Sequence, residues 1–145
     1  MNRYYVNWDE INSLVFGLCH KILTNDQKFK NIYGLQRGGL IPAVMLSHQL
    51  GIPMAKGDIG PDTLIVDDIC DSGETLDKIV KKYQTLYSYP FNLKTAVLHY
   101  KPHTSCFEPT LWSKRWSNSN WIIYPWEKED SKTIQDYKVK VGEAQ

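Results

Sequence analysis

The sequence predicts an α/β domain in which a mostly parallel central sheet is flanked by helices. Three observations carry that expectation. Short apolar runs alternate with longer stretches at helical spacing. The central runs are apolar on both faces, as strands covered from two sides are. Gly, Pro and Asp punctuate the boundaries where turns are needed.

The elements follow in chain order. Asn7 or Asp9 can cap a helix over 10–23, where Ile11, Leu14, Val15, Leu18 and Ile22 share one face. The run 31–36 reads as a short buried strand. It leads through Arg37-Gly38-Gly39 into a helix over 40–50, with Pro42 tolerated in the first turn and Gly51 ending it. A second strand spans 62–69, between Gly60-Pro61 and Asp71-Ser72-Gly73. An amphipathic helix over 74–86 carries Leu76, Ile79, Val80 and Tyr83. Strands follow at 94–100 and 121–124. The expected organisation is a single domain over 1–127 and a polar C-terminal tail over 128–145.

Composition narrows the function classes. A formal charge of +1 supplies no broad field for nucleic acid or an anionic membrane, so an anionic ligand needs a local pocket. The three cysteines, Cys19, Cys70 and Cys106, lie far apart without a CxxC pair and read as packing residues in a reducing compartment. His99 and His103 stand four apart without a third ligand nearby, which argues against zinc. The N-terminus has no signal-peptide pattern, and the longest apolar run falls far short of the roughly 20 residues a spanning helix needs. The expectation is a soluble cytoplasmic protein with no membrane span.

In an open α/β sheet, ligands bind beyond the carboxyl ends of the strands. Two polar turns leave those ends, 36–39 and 67–75. In the second, an apolar strand runs into Asp67 and Asp68, then Asp71, then Ser72-Gly73-Glu74-Thr75 at a helix start. Free N–H groups at that start suit a phosphate. Gly73 permits close backbone approach, and Ser72 and Thr75 add hydroxyls. Asp67 and Asp68 can accept hydrogen bonds from vicinal sugar hydroxyls or hold magnesium directly or through water. A strand–turn–helix with capping Asp and Ser is the plain alternative. Three carboxylates packed together repel one another without cations or hydroxyls, and that favours a site. Arg37 beside two glycines offers a forked cation among exposed backbone donors.

The acidic stretch Ile65 to Leu76 resembles the phosphoribosyl-pyrophosphate signature of the type I phosphoribosyltransferases. Tyr5 to Asp9, Gln36 to Pro42 with the helix to Ile52, Lys101-Pro102, and Trp121-Ile122 through Pro125-Trp126 resemble bacterial xanthine-guanine phosphoribosyltransferases in order and spacing. The resemblance covers about residues 4–127 and implies the type I fold. It implies transfer of the 5-phosphoribosyl group from phosphoribosyl pyrophosphate (PRPP) to guanine, xanthine or hypoxanthine, with Mg2+. It implies that Asp67 and Asp68 meet the ribose hydroxyls, with Asp68 also near the metal. Asp71 would be catalytic at the position-7 nitrogen of the purine. Ser72, Gly73, Glu74 and Thr75 would wrap the 5′-phosphate, and Arg37, Gly38 and Gly39 would bind pyrophosphate. Lys101 would donate to the 6-oxo group, Trp121 would stack on the base, and the Ile122 main chain would meet the position-2 substituent. A homo-oligomer, dimer or tetramer, is expected on the same ground.

The sequence departs from the family in one large respect. Family members usually carry a long mobile segment between the Arg-Gly-Gly helix and the acidic loop, whereas only fifteen residues, Ile52 to Val66, stand there. Gln36 stands where related enzymes often have serine, and Glu74 adds charge beside a dianion. The alternatives are a non-catalytic sensor of PRPP or nucleotide on the same fold and a transferase for a different base. A single-strand nucleic-acid binder built on Trp112, Lys114, Arg115, Trp116 and Trp121 is opposed by the neutral charge.

Overall fold

The computed structural model describes residues 2–57, 59–86 and 93–128. Nine elements run β1 (Arg3–Tyr5), α1 (Trp8–Leu23), β2 (Asn31–Gly34), α2 (Leu40–Leu50), β3 (Thr63–Cys70), α3 (Glu74–Leu86), β4 (Lys94–Tyr100), β5 (Leu111–Arg115) and β6 (Trp121–Ile123). The expected tail over 128–145 lies outside the described residues beyond Lys128.

The main sheet has the order β2-β3-β4-β5 and every pair is parallel. Its two faces take alternate residues, as the period of a strand dictates. Leu64, Val66, Ala96 and Leu98 pack with Ile11, Leu14 and Leu18 of α1 and Ala43 and Leu46 of α2. Ile65 and Val97 pack with Leu76, Ile79 and Val80 of α3. Asn7 is the helix cap, its Oδ1 accepting the Glu10 N–H at 2.8 Å. Gly51 ends α2 in the left-handed region, at φ 68°.

The fourth strand of this sheet is β5, not the apolar run at 121–123. Residues 111–115 mix Trp, Ser, Lys and Arg and sit half-buried at the sheet edge, so their apolar signal is weak. The run at 121–123 instead forms β6, which pairs with β1 as a separate two-stranded parallel sheet. Both partners there are three residues long, which is why β1 left no pattern to read.

The acidic stretch begins inside the strand, as the expected span of 62–69 has it, and the strand continues one residue further. β3 runs on through Cys70, paired with Tyr100 of β4, so Asp67 and Asp68 lie within the strand. β2 accompanies β3 only to Val66, where Leu35 N donates to Val66 O. After α2, Pro53, Met54 and Ala55 lie beside β2. Ile32 N donates to Pro53 O, Ala55 N to Ile32 O, and Met54 bridges to Ile32 in parallel.

Cys19 and Cys70 are buried as expected, but Cys106 is exposed on the loop after β4. No helix among the described residues is long and apolar enough to cross a membrane.

Candidate active site

The turn after β2 and the turn after β3 line one cleft of about 640 Å³ at the carboxyl end of the sheet. Arg37 and Gly38 enter it from the first, and Asp67 to Gly73 with Thr75 from the second. The approach is close. A Cβ on Gly38 would stand 2.1 Å from Asp68 Oδ2, so the turn abuts the carboxylate only because that residue has no side chain. The Gln36–Arg37 peptide is cis.

Gly39 and Glu74, both expected to bind ligand, lie outside the cleft lining. Gly39 is buried, and a Cβ there would fall 2.5 Å from Val66 O and 2.6 Å from Leu35 O. It serves the packing of α2 on the sheet. Glu74 opens α3 with its side chain in solvent, while its N–H donates to Ser72 Oγ at 3.3 Å. Gly73 adopts φ 78°, and any Cβ there would strike Ser105 Oγ and Phe107.

The acidic pair is curled back on its own backbone. Asp68 N donates to Asp67 Oδ1 at 2.9 Å, and Ile69 N to Asp68 Oδ1 at 2.8 Å. Burial and the Asp68 charge push the Asp67 carboxyl well above the usual range. Burial also raises Asp68, against a hydrogen bond with Asp67 that holds it down and the Glu127 charge that adds to the rise. Two such carboxyls side by side form an electrostatic deficit that a cation or sugar hydroxyls would fill.

Asp71 sits differently. Its Oδ1 accepts from Thr104 Oγ1 at 2.8 Å, and its Oδ2 lies 3.5 Å from Lys101 Nζ. Lys101 is buried, yet its ammonium is satisfied: Nζ also donates to Asn120 O at 3.0 Å, and its backbone N donates to Cys70 O. That arrangement ties the end of β4 to the segment entering β6. β6 then presents Trp121, 46% exposed, and Ile122 to the same cleft. Trp126 also lines it, stacked on Tyr124 with centroids 4.8 Å apart.

Several cleft residues were invisible in the sequence reading. Thr104 and Tyr124 act through partners 33 and 56 positions away, and no local pattern marks such pairs. Glu127, expected only as the last residue of the domain, lines the cleft, and its Oε1 accepts the Tyr124 N–H at 2.8 Å.

The aromatic and basic side chains of the nucleic-acid alternative do not form a stacking strip. Trp116 is buried, with Lys114 Nζ 5.3 Å from its ring, and Trp112 packs on Tyr100 at 5.0 Å. Trp112 joins the α3-side core and Trp116 the α1-side core. His99 is buried and His103 exposed, so they share no site.

A four-stranded parallel sheet with two glycine-bearing turns and a group of carboxylates at its carboxyl end defines an α/β domain whose ligands sit beyond the strand ends. No family model matches the chain. A purine phosphoribosyltransferase structure from Pyrococcus horikoshii is similar over 92% of this chain and all of that one, with a TM-score of 0.75 and 31% identity. The xanthine-guanine phosphoribosyltransferase of Desulfotalea psychrophila is 25% identical over 87% of each chain. The xanthine-guanine-hypoxanthine phosphoribosyltransferase of Helicobacter pylori has the same fold, with a TM-score of 0.72 over 86% of this chain and 92% of that one, at 16% identity. The chain belongs to the purine phosphoribosyltransferase family.

Proposed function

We propose that this protein transfers the 5-phosphoribosyl group from PRPP to a 6-oxopurine, guanine, xanthine or hypoxanthine, releasing pyrophosphate in a purine-salvage reaction. The observation that carries the proposal is the shared cleft, with the arginine turn set against the Asp68 carboxylate. Arg37 and the Gly38 backbone would hold the departing pyrophosphate. Asp67 and Asp68 would accept from the ribose hydroxyls, and Ser72, Gly73 and Thr75 would surround the 5′-phosphate. As the anomeric carbon parts from the pyrophosphate oxygen, a ring nitrogen of the purine bonds to it. Preset charges stabilise this passage better than water would.

At the base, Lys101 Nζ would exchange Asn120 O for the 6-oxo group. Asp71, held by Thr104, would hydrogen-bond the position-7 N–H and accept its proton as the new bond forms, while Trp121 would stack on the ring and the Ile122 main chain would meet position 2. An ammonium has no acceptor for the amino group of adenine, so adenine should be rejected.

Among the described residues no cluster of three or more His, Cys, Asp or Glu forms a closed metal cage. Mg2+ needs none, because it typically binds one or two carboxylates together with substrate oxygens and water. The Asp67–Asp68 pair, with Asp68 buried and Asp67 half-buried at the cleft, fits that donor set, with Asp68 as the proposed ligand. The chemistry the ion supplies is charge neutralisation at the pyrophosphate. A cytoplasmic location and a dimer or tetramer complete the proposal, and sedimentation checks the latter.

One observation supports a second reading. Only fifteen residues, Ile52 to Val66, stand between the end of α2 at Gly51 and the acidic pair, and Pro53, Met54 and Ala55 among them are committed to β2, leaving little chain to exclude water from the sugar. On that reading the protein binds PRPP or nucleotide without transferring, as a sensor, or serves a different base. A pyrophosphate-release assay with Mg2+, a panel of bases and a no-base control separates the readings. Release with 6-oxopurines alone supports transfer. Comparable release with adenine or orotate overturns the base assignment, and binding without release supports the sensor.

A further inference from the structure

Behind the acidic pair lies a buried polar chain that the transfer scheme leaves unused. Tyr124 Oη stands 3.1 Å from Asp68 O and 2.8 Å from His99 Nδ1. Both rings are buried, and His99 has no exposed surface. Two oxygens at hydrogen-bond distance need one hydrogen between them, and a carbonyl brings none. The Tyr124 hydroxyl therefore donates to Asp68 O. Its oxygen is left to accept, so His99 Nδ1 must carry the ring hydrogen. That fixes the tautomer and leaves Nε2 a bare lone pair, consistent with Nε2 having no partner.

The placement explains the need for such a chain. The β2 ladder stops at Val66, and the next residues of β3 are held by side-chain atoms instead. Asp68 has its N–H closed by Asp67, its carboxylate against Gly38 and its carbonyl closed by Tyr124. Tyr124 is itself fixed by stacking on Trp126 and by its own N–H on Glu127.

We infer that His99 and Tyr124 are positioning residues for Asp68, setting the strand end where PRPP is gripped. The inference rests on the proposed transferase reading for its ligand, and on geometry alone for its hydrogen-bond order. Neither side chain touches substrate in this scheme; each acts through the Asp68 main chain. Burial keeps His99 neutral, its ring pushed down to about 4 by desolvation and by the Lys114 and Lys101 charges, so the chain keeps its direction at neutral pH.

The test is a small mutant cycle on the full chain, read by steady-state kinetics and PRPP calorimetry. Tyr124→Phe removes one oxygen and keeps the stacked ring. It should raise the KM for PRPP about tenfold, the worth of one buried hydrogen bond, and leave the KM for the base within about twofold. His99→Asn can still donate to Tyr124 and should stay near wild type. His99→Leu should resemble Tyr124→Phe, and should add nothing to the PRPP effect on the Tyr124→Phe background. An unchanged PRPP KM in Tyr124→Phe, equal losses for both substrates, or additive losses in the double variant would overturn the assignment. Nitrogen-15 spectra of the His99 ring provide a readout independent of activity. Hydrogen on Nδ1 supports the chain, and hydrogen on Nε2 overturns it, even if wild-type protein neither binds nor turns over PRPP. That last outcome would count against the transferase proposal itself.

Discussion

The two halves of the cleft are built by different means. The half proposed for the sugar phosphate uses backbone: glycines that admit close approach, a helix start, and carboxylates fixed by N–H groups one residue away. The half proposed for the base uses long side chains whose partners come from other elements, such as Lys101 on Asn120 and Asp71. Short-range construction leaves a trace in consecutive residues. Long-range construction leaves almost none.

Four perturbations sharpen that contrast, in descending order of effect. Asp71→Asn, which spares every backbone contact of the phosphate half, should cut kcat on the order of a hundredfold or more. PRPP affinity should stay within a few-fold by calorimetry. Equal turnover by the variant would remove Asp71 from the chemistry. Gly38→Ala comes next, because its methyl would meet the Asp68 carboxylate at 2.1 Å. PRPP binding should weaken by about tenfold or more, with the fold retained. Gly39→Ala is its foil. Its methyl meets main-chain oxygens, so thermal stability should fall by about 2 kcal/mol or more.

Lys101→Met should be selective in the other direction, raising the KM for guanine by about tenfold while moving the PRPP KM little. Comparable losses for both substrates would show that the two halves are not separable.

The smallest effect belongs to the buried imidazole. His99 is held at about 4 in the folded chain, while an unfolded histidine titrates near 6.5. Between those values the unfolded state binds more protons, so stability falls as pH drops. The loss due to His99 is about 1 kcal/mol between pH 7 and 5.5. The raised Asp67 and Asp68 act in the opposite sense, so the comparison to make is wild type against His99→Asn in denaturant titrations at the two pH values. A difference in midpoint that does not change with pH would refute the prediction.

Much of the fold was legible because its core strands and helices carry complete periods. α1, α2, α3 and β4 fall where the apolar spacing puts them. What failed was short or mixed. β1 has three residues, and β5 alternates Trp with Ser, Lys and Arg. β6 looked like a strand of the main sheet because its apolar content does not name its partner. At the site, Arg37, Gly38, Asp67, Asp68, Asp71, Ser72, Gly73 and Thr75 could be picked out because consecutive residues share one turn. Lys101, Trp121 and Ile122 were reached only through resemblance, and Thr104 and Tyr124 not at all.

The pairing of β1 with β6 has a practical consequence. Trp121 N donates to Asn2 O, and Arg3 sits in register with Trp121, so the aromatic plate of the cleft is braced by the first few residues of the chain. Substitutions that break the β1–β6 pairing would therefore loosen Trp121 while the β2-β3-β4-β5 ladder keeps its own hydrogen bonds.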